Sequence, residues 1–285
     1  MRPRGALSLL ALLGACSTAP PTGQAAPTSA AERSARGARR ALVDAQLFVP
    51  SDFSPSADGV VPLAVHFQGG LATAEDNFAR MRRPGVLITS KLTGRSGAFA
   101  APFRDPQAFG NLLRSGERAL SEQFGRALRF GPVLVTSFSA GYGAVRELLK
   151  HPAHYARIEA LVMADSVYAS VVAPDVRAPR AEQMIDFSRF AQAAARGEKV
   201  FVLTHTRIAT EYASTAECAD WLLAAVAGAR APSDAVTERG VPVAAEFHRR
   251  GLHVYAFEGD DAQAHVDCLT MIPELVRRHA RPAPR

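Results

Sequence analysis

The chain of 285 residues is poor in the side chains that most non-serine chemistry needs. It holds three cysteines and one tryptophan. No C-x-x-C pair, no H-E-x-x-H helix motif and no G-x-x-x-x-G-K-S/T loop occurs, so thiol redox, zincin and P-loop chemistries lack their marks. No G-x-G-x-x-G follows a strand, and Gly141-Tyr142-Gly143 is too little for a dinucleotide site. No resident cofactor or metal is therefore expected. Long apolar runs are also missing near the start. The run from Ala6 to Ala15 is about ten residues, against the roughly 20 that a helix needs to cross a bilayer core. Finally, there is little charge of either sign in excess. The formal net charge is +6. Loss of a leader containing Arg2 and Arg4 lowers it to +4, and Arg33, Arg36, Arg39 and Arg40 against Glu32 carry three more, leaving about +1 for the remainder. A nucleic-acid face is not expected from so neutral a domain.

What the N-terminus does have is a targeting pattern. Arg2 and Arg4 precede the apolar run, and Leu13-Gly14-Ala15-Cys16 follows it. This resembles a bacterial lipoprotein signal. The resemblance implies cleavage before Cys16, lipidation of Cys16 and an exported, membrane-anchored protein. With Ser17 next, it implies the outer membrane, facing the periplasm, in a Gram-negative cell. The expected division is a signal peptide at 1–15, a flexible tether at 16–40 and one domain at 41–285. The tether is rich in Ala, Pro, Ser, Thr, Gly and Arg and has no large apolar residue, so it cannot offset the entropy of ordering. A basic tether suits anionic lipid. Cys218 and Cys268 remain, either as a disulfide or as two buried thiols; spacing does not decide between them.

Beyond the tether, apolar strand-like runs alternate with helical periodicity. VVPLAVHF at 60–67, GVLITSKL at 85–92, PVLVTSF at 132–138, IEALVMA at 158–164, KVFVLT at 199–204 and LHVYAF at 252–257 read as strands. Helices are predicted at 107–128, 140–150, 181–196, 215–227 and 266–279. This order argues for a mainly parallel sheet covered on both faces, with ligands beyond its carboxyl edge. The segment PDVRAPR at 174–180 interrupts the alternation and is expected to begin a small cap.

The most informative stretch is VLVTSFSAGYGAV at 133–145. A buried strand runs through Ser137-Phe138-Ser139-Ala140-Gly141 straight into a helix. A nucleophile on so sharp a bend needs small residues two before and two after it, and Gly143 adds room where the helix meets the sheet. The stretch resembles the nucleophile elbow of the α/β-hydrolase superfamily, with Ser137 in place of the usual first glycine. The resemblance covers about 60–279 and implies an α/β fold with an eight-stranded, mainly parallel sheet. It also implies a serine hydrolase acting on a small-molecule acyl substrate, an ester or related bond.

Residue by residue, the resemblance makes Ser139 the nucleophile. His66-Phe67-Gln68-Gly69-Gly70 becomes the oxyanion-hole loop, with donors at Ala140 and at Gly69, Gly70 or Leu71, and His66 orients the loop. His265, after the last strand, becomes the base, while His253 and His279 look structural. The acid is open: Asp165 ends the strand at 158–164 and is favoured, with Glu211, Asp260 and Asp261 as alternatives. His205 is expected to line the pocket or bond the acid. Two rival readings stand beside the esterase: a non-catalytic binding lipoprotein on the same fold, and a peptidase or acyl transferase using the same triad.

Overall fold

The computed structural model describes residues 36–280 apart from residue 174. Cys16 and the expected signal peptide lie outside the described residues, as does most of the expected tether. In chain order the elements begin with strands β1 (Gly37–Leu42), β2 (Ala45–Pro50) and β3 (Val60–Phe67), helix α1 (Leu71–Met81) and strand β4 (Val86–Ser90). Helices α2 (Ser96–Phe103) and α3 (Ala108–Phe124) lead to β5 (Arg129–Phe138), then to α4 (Tyr142–Lys150), α5 (Pro152–Arg157) and β6 (Ile158–Ala164). A hairpin, β7 (Val171–Ala173) and β8 (Val176–Pro179), precedes α6 (Ala181–Arg196), β9 (Val200–His205) and α7 (Thr215–Ala224). The chain closes with β10 (Ala231–Pro232), β11 (Ala245–Arg249), β12 (Leu252–Ala256) and α8 (Ala262–His279).

Ten strands form one sheet in the order β1-β2-β4-β3-β5-β6-β9-β12-β11-β10. The strands from β4 to β12 in that order run parallel, and two antiparallel strands extend each side. The sheet is thus wider than the eight strands expected. The extra strands lie at the edges, where half-exposed residues give no apolar run to read. The tether expectation is corrected too: residues 37–40 belong to β1, paired along β2. The lack of any large apolar residue made this stretch read as a tether, yet an edge strand tolerates charge and small residues, and the Arg39 guanidinium forms an ion pair with Glu75.

Alternation along the parallel strands divides the core. Val61, Leu63, Val65 and Phe67 of β3, with Val133 and Val135 of β5, face α2, α3, α4, α6 and α7. Ala64, Leu134 and Phe138 face the other way, onto α1 and α8 through Phe78, Met81, Leu269, Ile272 and Leu275. Side chains of period two therefore send odd and even residues of β5 to different layers. The expected cap is no more than the β7–β8 hairpin. It is tied down by Arg177, which donates to Glu217 at 2.7 Å and to the Tyr212 carbonyl at 2.9 Å. Glu217 also closes the capping box of α7 with Ser214.

Candidate active site

The bend after β5 has the geometry its sequence calls for. Ser139 takes φ 48°, a left-handed backbone that a residue with a Cβ adopts only under constraint. The chain passes through one 3₁₀ turn, Ser139–Gly141, into α4. Gly141 permits the bend: a Cβ there would sit 2.5 Å from the Phe67 carbonyl oxygen and 2.7 Å from Ser137 Oγ. Likewise a Cβ on Gly143 would lie 2.1 Å from the Ser96 carbonyl oxygen.

Ser137, the departure from the glycine pattern, has work of its own. Its hydroxyl pairs with that of Ser166 at 2.7 Å, and Ser166 donates to the Ser139 carbonyl at 2.8 Å. The strained residue is pinned from below by a two-serine bridge. Sequence reading missed Ser166, although its place directly after Asp165 at the end of β6, the strand beside β5, was a usable signal.

The neighbouring strand supplies the loop. Phe67 stands opposite Ser137 across the β3–β5 pairing, so the next residues of β3 flank the bend. Gln68, Gly69 and Gly70 all take positive φ, at 69°, 120° and 84°. Gly70 then caps the start of α1 without a side-chain bond, which leaves backbone N–H groups unpaired at that end. Beneath the loop, His66 is buried and its Nδ1 meets Thr136 Oγ1 at 2.8 Å. Burial pushes its pKa down to about 4, so it is a neutral strut under Gly69.

His265 stands inside the closing helix α8, which starts at Ala262 and not after His265 as expected, one turn after Asp261, whose carboxylate caps that helix through the Ala264 N–H at 2.8 Å. The imidazole lies against the Phe138 ring, with centroids 4.4 Å apart, next to Ser139 in sequence. Its Nδ1 meets Asp165 Oδ2 at 2.7 Å. Asp165 is wholly buried and also accepts from Thr206 Oγ1 at 2.8 Å and from the Thr215 hydroxyl. Burial pushes the Asp165 carboxyl up, but the bonds from His265, Thr215 and Thr206 outweigh it and hold the group below the ordinary carboxylate range. Of the four acids considered, Asp165 is the one bonded to His265. Asp261 is occupied as a helix cap. Neither Asp260 nor Glu211 bonds the imidazole.

The Ser139 hydroxyl and His265 Nε2 make no hydrogen bond among the described residues. Both remain partly exposed at the carboxyl edge of the sheet. His205 does not bond the acid, contrary to one expectation. Its Nδ1 donates to the Thr206 carbonyl at 3.3 Å and its Nε2 accepts from Arg230, which also pairs with Asp220. Burial first, then the Arg230 charge, pushes its pKa down to about 4. The stretch Thr204-His205-Thr206 carries no carboxylate; instead the Thr206 hydroxyl donates to the Asp165 carboxylate, and Thr204 Oγ1 accepts from the Asp165 backbone N–H at 3.0 Å. Cys218 and Cys268 are free buried thiols.

No family model and no curated protein matches this chain. Among solved structures, EstE1, a thermophilic carboxylesterase cloned from a metagenomic library, aligns at 10% identity over 87% of this chain and 89% of its own, with TM-score 0.47. A bacterial heroin esterase aligns at 13% identity over 84% and 80%, TM-score 0.46. A thermostable esterase aligns at 13% identity and TM-score 0.42; 83% of this chain spans 56% of that one. The sheet order, its parallel centre and the strained strand–turn–helix bend at Ser139 together make this an α/β-hydrolase fold.

Proposed function

We propose that the protein is a serine hydrolase cleaving a carboxylic ester, with Ser139 as nucleophile, His265 as base and Asp165 as the acid that orients it. The observation that carries this is the 2.7 Å bond from His265 Nδ1 to a buried Asp165, beside a serine held at φ 48°. That bond fixes the tautomer, leaving Nε2 free to accept a proton. Ser139 Oγ attacks the carbonyl carbon as its proton passes to His265 Nε2. The oxyanion is met by the Ala140 N–H and by Gly69 or Gly70, each such donor being worth about 3 kcal/mol in related chemistry. His265 then protonates the departing alcohol. Water, deprotonated by the same imidazole, releases the acid and restores Ser139.

A fluorophosphonate probe is expected to label Ser139. Ester turnover is expected to vanish in Ser139→Ala and in His265→Ala. Folded wild-type protein that neither labels nor turns over acyl esters would falsify the reading. It would favour instead a binding protein on the same fold, for which the unbonded Ser139 hydroxyl speaks. Transfer to an added amine or cleavage of a peptide amide, followed by product analysis, separates a transferase or peptidase from an esterase.

We also propose attachment to a membrane through a lipidated Cys16. Among the described residues no helix is long and apolar enough to cross a membrane. Labelled palmitate is expected in the wild type and absent from Cys16→Ala, which moves to the soluble fraction.

A further inference from the structure

Three phenol rings stand in a row beyond the carboxyl ends of β5, β6 and β9. Tyr142 opens α4 three residues after Ser139, Tyr168 lies three residues after Asp165, and Tyr212 comes from the loop that follows β9. Ring centroids are 5.4 Å apart from Tyr142 to Tyr168, and again from Tyr168 to Tyr212. Tyr142 is half-buried, Tyr168 in the middle is 8% exposed and Tyr212 is 48% exposed. Tyr168 is thus the floor and Tyr212 the rim.

Two features are not explained by packing. A ring at 168 serves the core as well without its hydroxyl, which packing alone does not require. The Tyr142 hydroxyl has a partner, donating to Ser96 Oγ at 3.0 Å. The Tyr168 hydroxyl has no protein partner among the described residues and is not fully enclosed, so it is open to solvent or to a ligand. Burial, with the Asp165 charge next, pushes its pKa upward, so it remains a donor at working pH. Tyr212, in turn, exposes a large ring on a backbone that is firmly held. Its carbonyl accepts from Arg177 at 2.9 Å and from the Thr210 hydroxyl, and the adjoining Ala213 bridges to Ala169. A ring so exposed yet so fixed is preorganised for a partner, because little ordering cost remains.

We propose that the Tyr142–Tyr168–Tyr212 row is the substrate wall of the Ser139 site and selects esters bearing an aromatic ring, with the Tyr168 hydroxyl donating to a polar substituent on that ring. The proposal rests on the hydrolase reading and deepens it. A planar ring meets phenols edge-to-face, a gain that an alkyl chain of similar area does not share.

The test compares matched esters by titrating released acid: methyl phenylpropanoate with methyl hexanoate, and benzyl acetate with hexyl acetate. One aromatic member is expected to exceed its alkyl partner roughly tenfold in kcat/KM. Tyr212→Leu, at a half-exposed position that tolerates change, is expected to remove most of that excess. Tyr168→Phe is expected to keep the ring preference but lose the further gain given by a para-hydroxyl on the favoured ring. Alkyl esters equal to or better than both aromatic ones, or an aromatic preference unaltered by Tyr212→Leu, overturn the proposal. Fluorophosphonate labelling of the same samples separates the two levels. Labelled Ser139 without aromatic preference defeats only the substrate wall, whereas unlabelled wild type defeats the hydrolase reading beneath it.

Discussion

At the scale of single residues, Asp165 carries the clearest consequences. Its carboxylate accepts from an imidazole and two threonine hydroxyls in a site closed to water. Asp165→Asn keeps the shape but presents an amide where Nδ1–H donates, so His265 loses its fixed tautomer. On the proposed hydrolase reading, kcat is expected to fall by about 10³–10⁴ with KM little changed, the scale of the same change in Ser-His-Asp triads. The group also titrates below its unfolded value. The stability it contributes is therefore complete above the unfolded pKa, near 4, and is lost as pH falls through the folded one. Denaturant melts of wild type and Asp165→Asn should show the wild type losing more stability on acidification below about pH 4. A slope as steep in the variant would show that the carboxylate is not responsible. Asp165 was legible as a favourite because it ends an apolar strand. What selected it over Asp261 was invisible in sequence: one carboxylate caps a helix, and the other turns inward.

Among the elements, the bend between β5 and α4 stores strain that its surroundings hold in place. Gly141→Ala puts a methyl 2.5 Å from the Phe67 carbonyl, a backbone atom that cannot swing aside. A loss of about 2–4 kcal/mol is expected by chemical denaturation, as for other overpacked sites. Ser166→Ala leaves both Ser137 Oγ and the Ser139 carbonyl without their donor or acceptor. About 1–3 kcal/mol should be lost. If Ser139 is the nucleophile we propose, activity should fall further than folding requires, because Ser139 is no longer pinned. Unchanged kcat in well-folded Ser166→Ala would show the bridge to be idle. The bend was readable because strand, small residues and helix follow one another without a break. The edge strands were not. β1 reads GARRAL and β11 reads AEFHR, sequences with too few apolar residues to signal a strand, whose pairing is dictated by neighbours.

For the molecule as a whole, acid tolerance is set by histidines kept neutral inside the fold. His66, His205 and His253 are each pushed down to about 4 by burial, and His279 to about 3 by burial and by the charges of His253 and His248. His253 and His279 stack with centroids 3.7 Å apart, and Tyr255 meets His279 Nε2 at 2.7 Å. Between the unfolded value of 6.5 and these depressed ones, the unfolded chain binds more protons. Stability is full above about pH 6.5 and declines as pH falls toward 4. Thermal melts should show a falling Tm over that window, and His253→Gln should flatten the decline. A flat Tm from pH 7 to 5 would count against it. The parallel centre of the sheet was legible because strands buried on both faces are apolar throughout. The union of distant segments at the site was legible only through the order of motifs.

That union has a consequence for how the protein is made. α1 and α8 share one face of the sheet and both begin at the site, at Gly70 and beside His265. Asn77 of α1 donates to the Leu269 carbonyl of α8 at 2.9 Å, and just past the ends of the two helices Arg83 donates to the Ala280 carbonyl at 2.6 Å. The second of these bonds spans 197 residues. A ribosome-bound nascent chain thus carries a serine without its imidazole and an unfinished sheet face until this last helix has been synthesised.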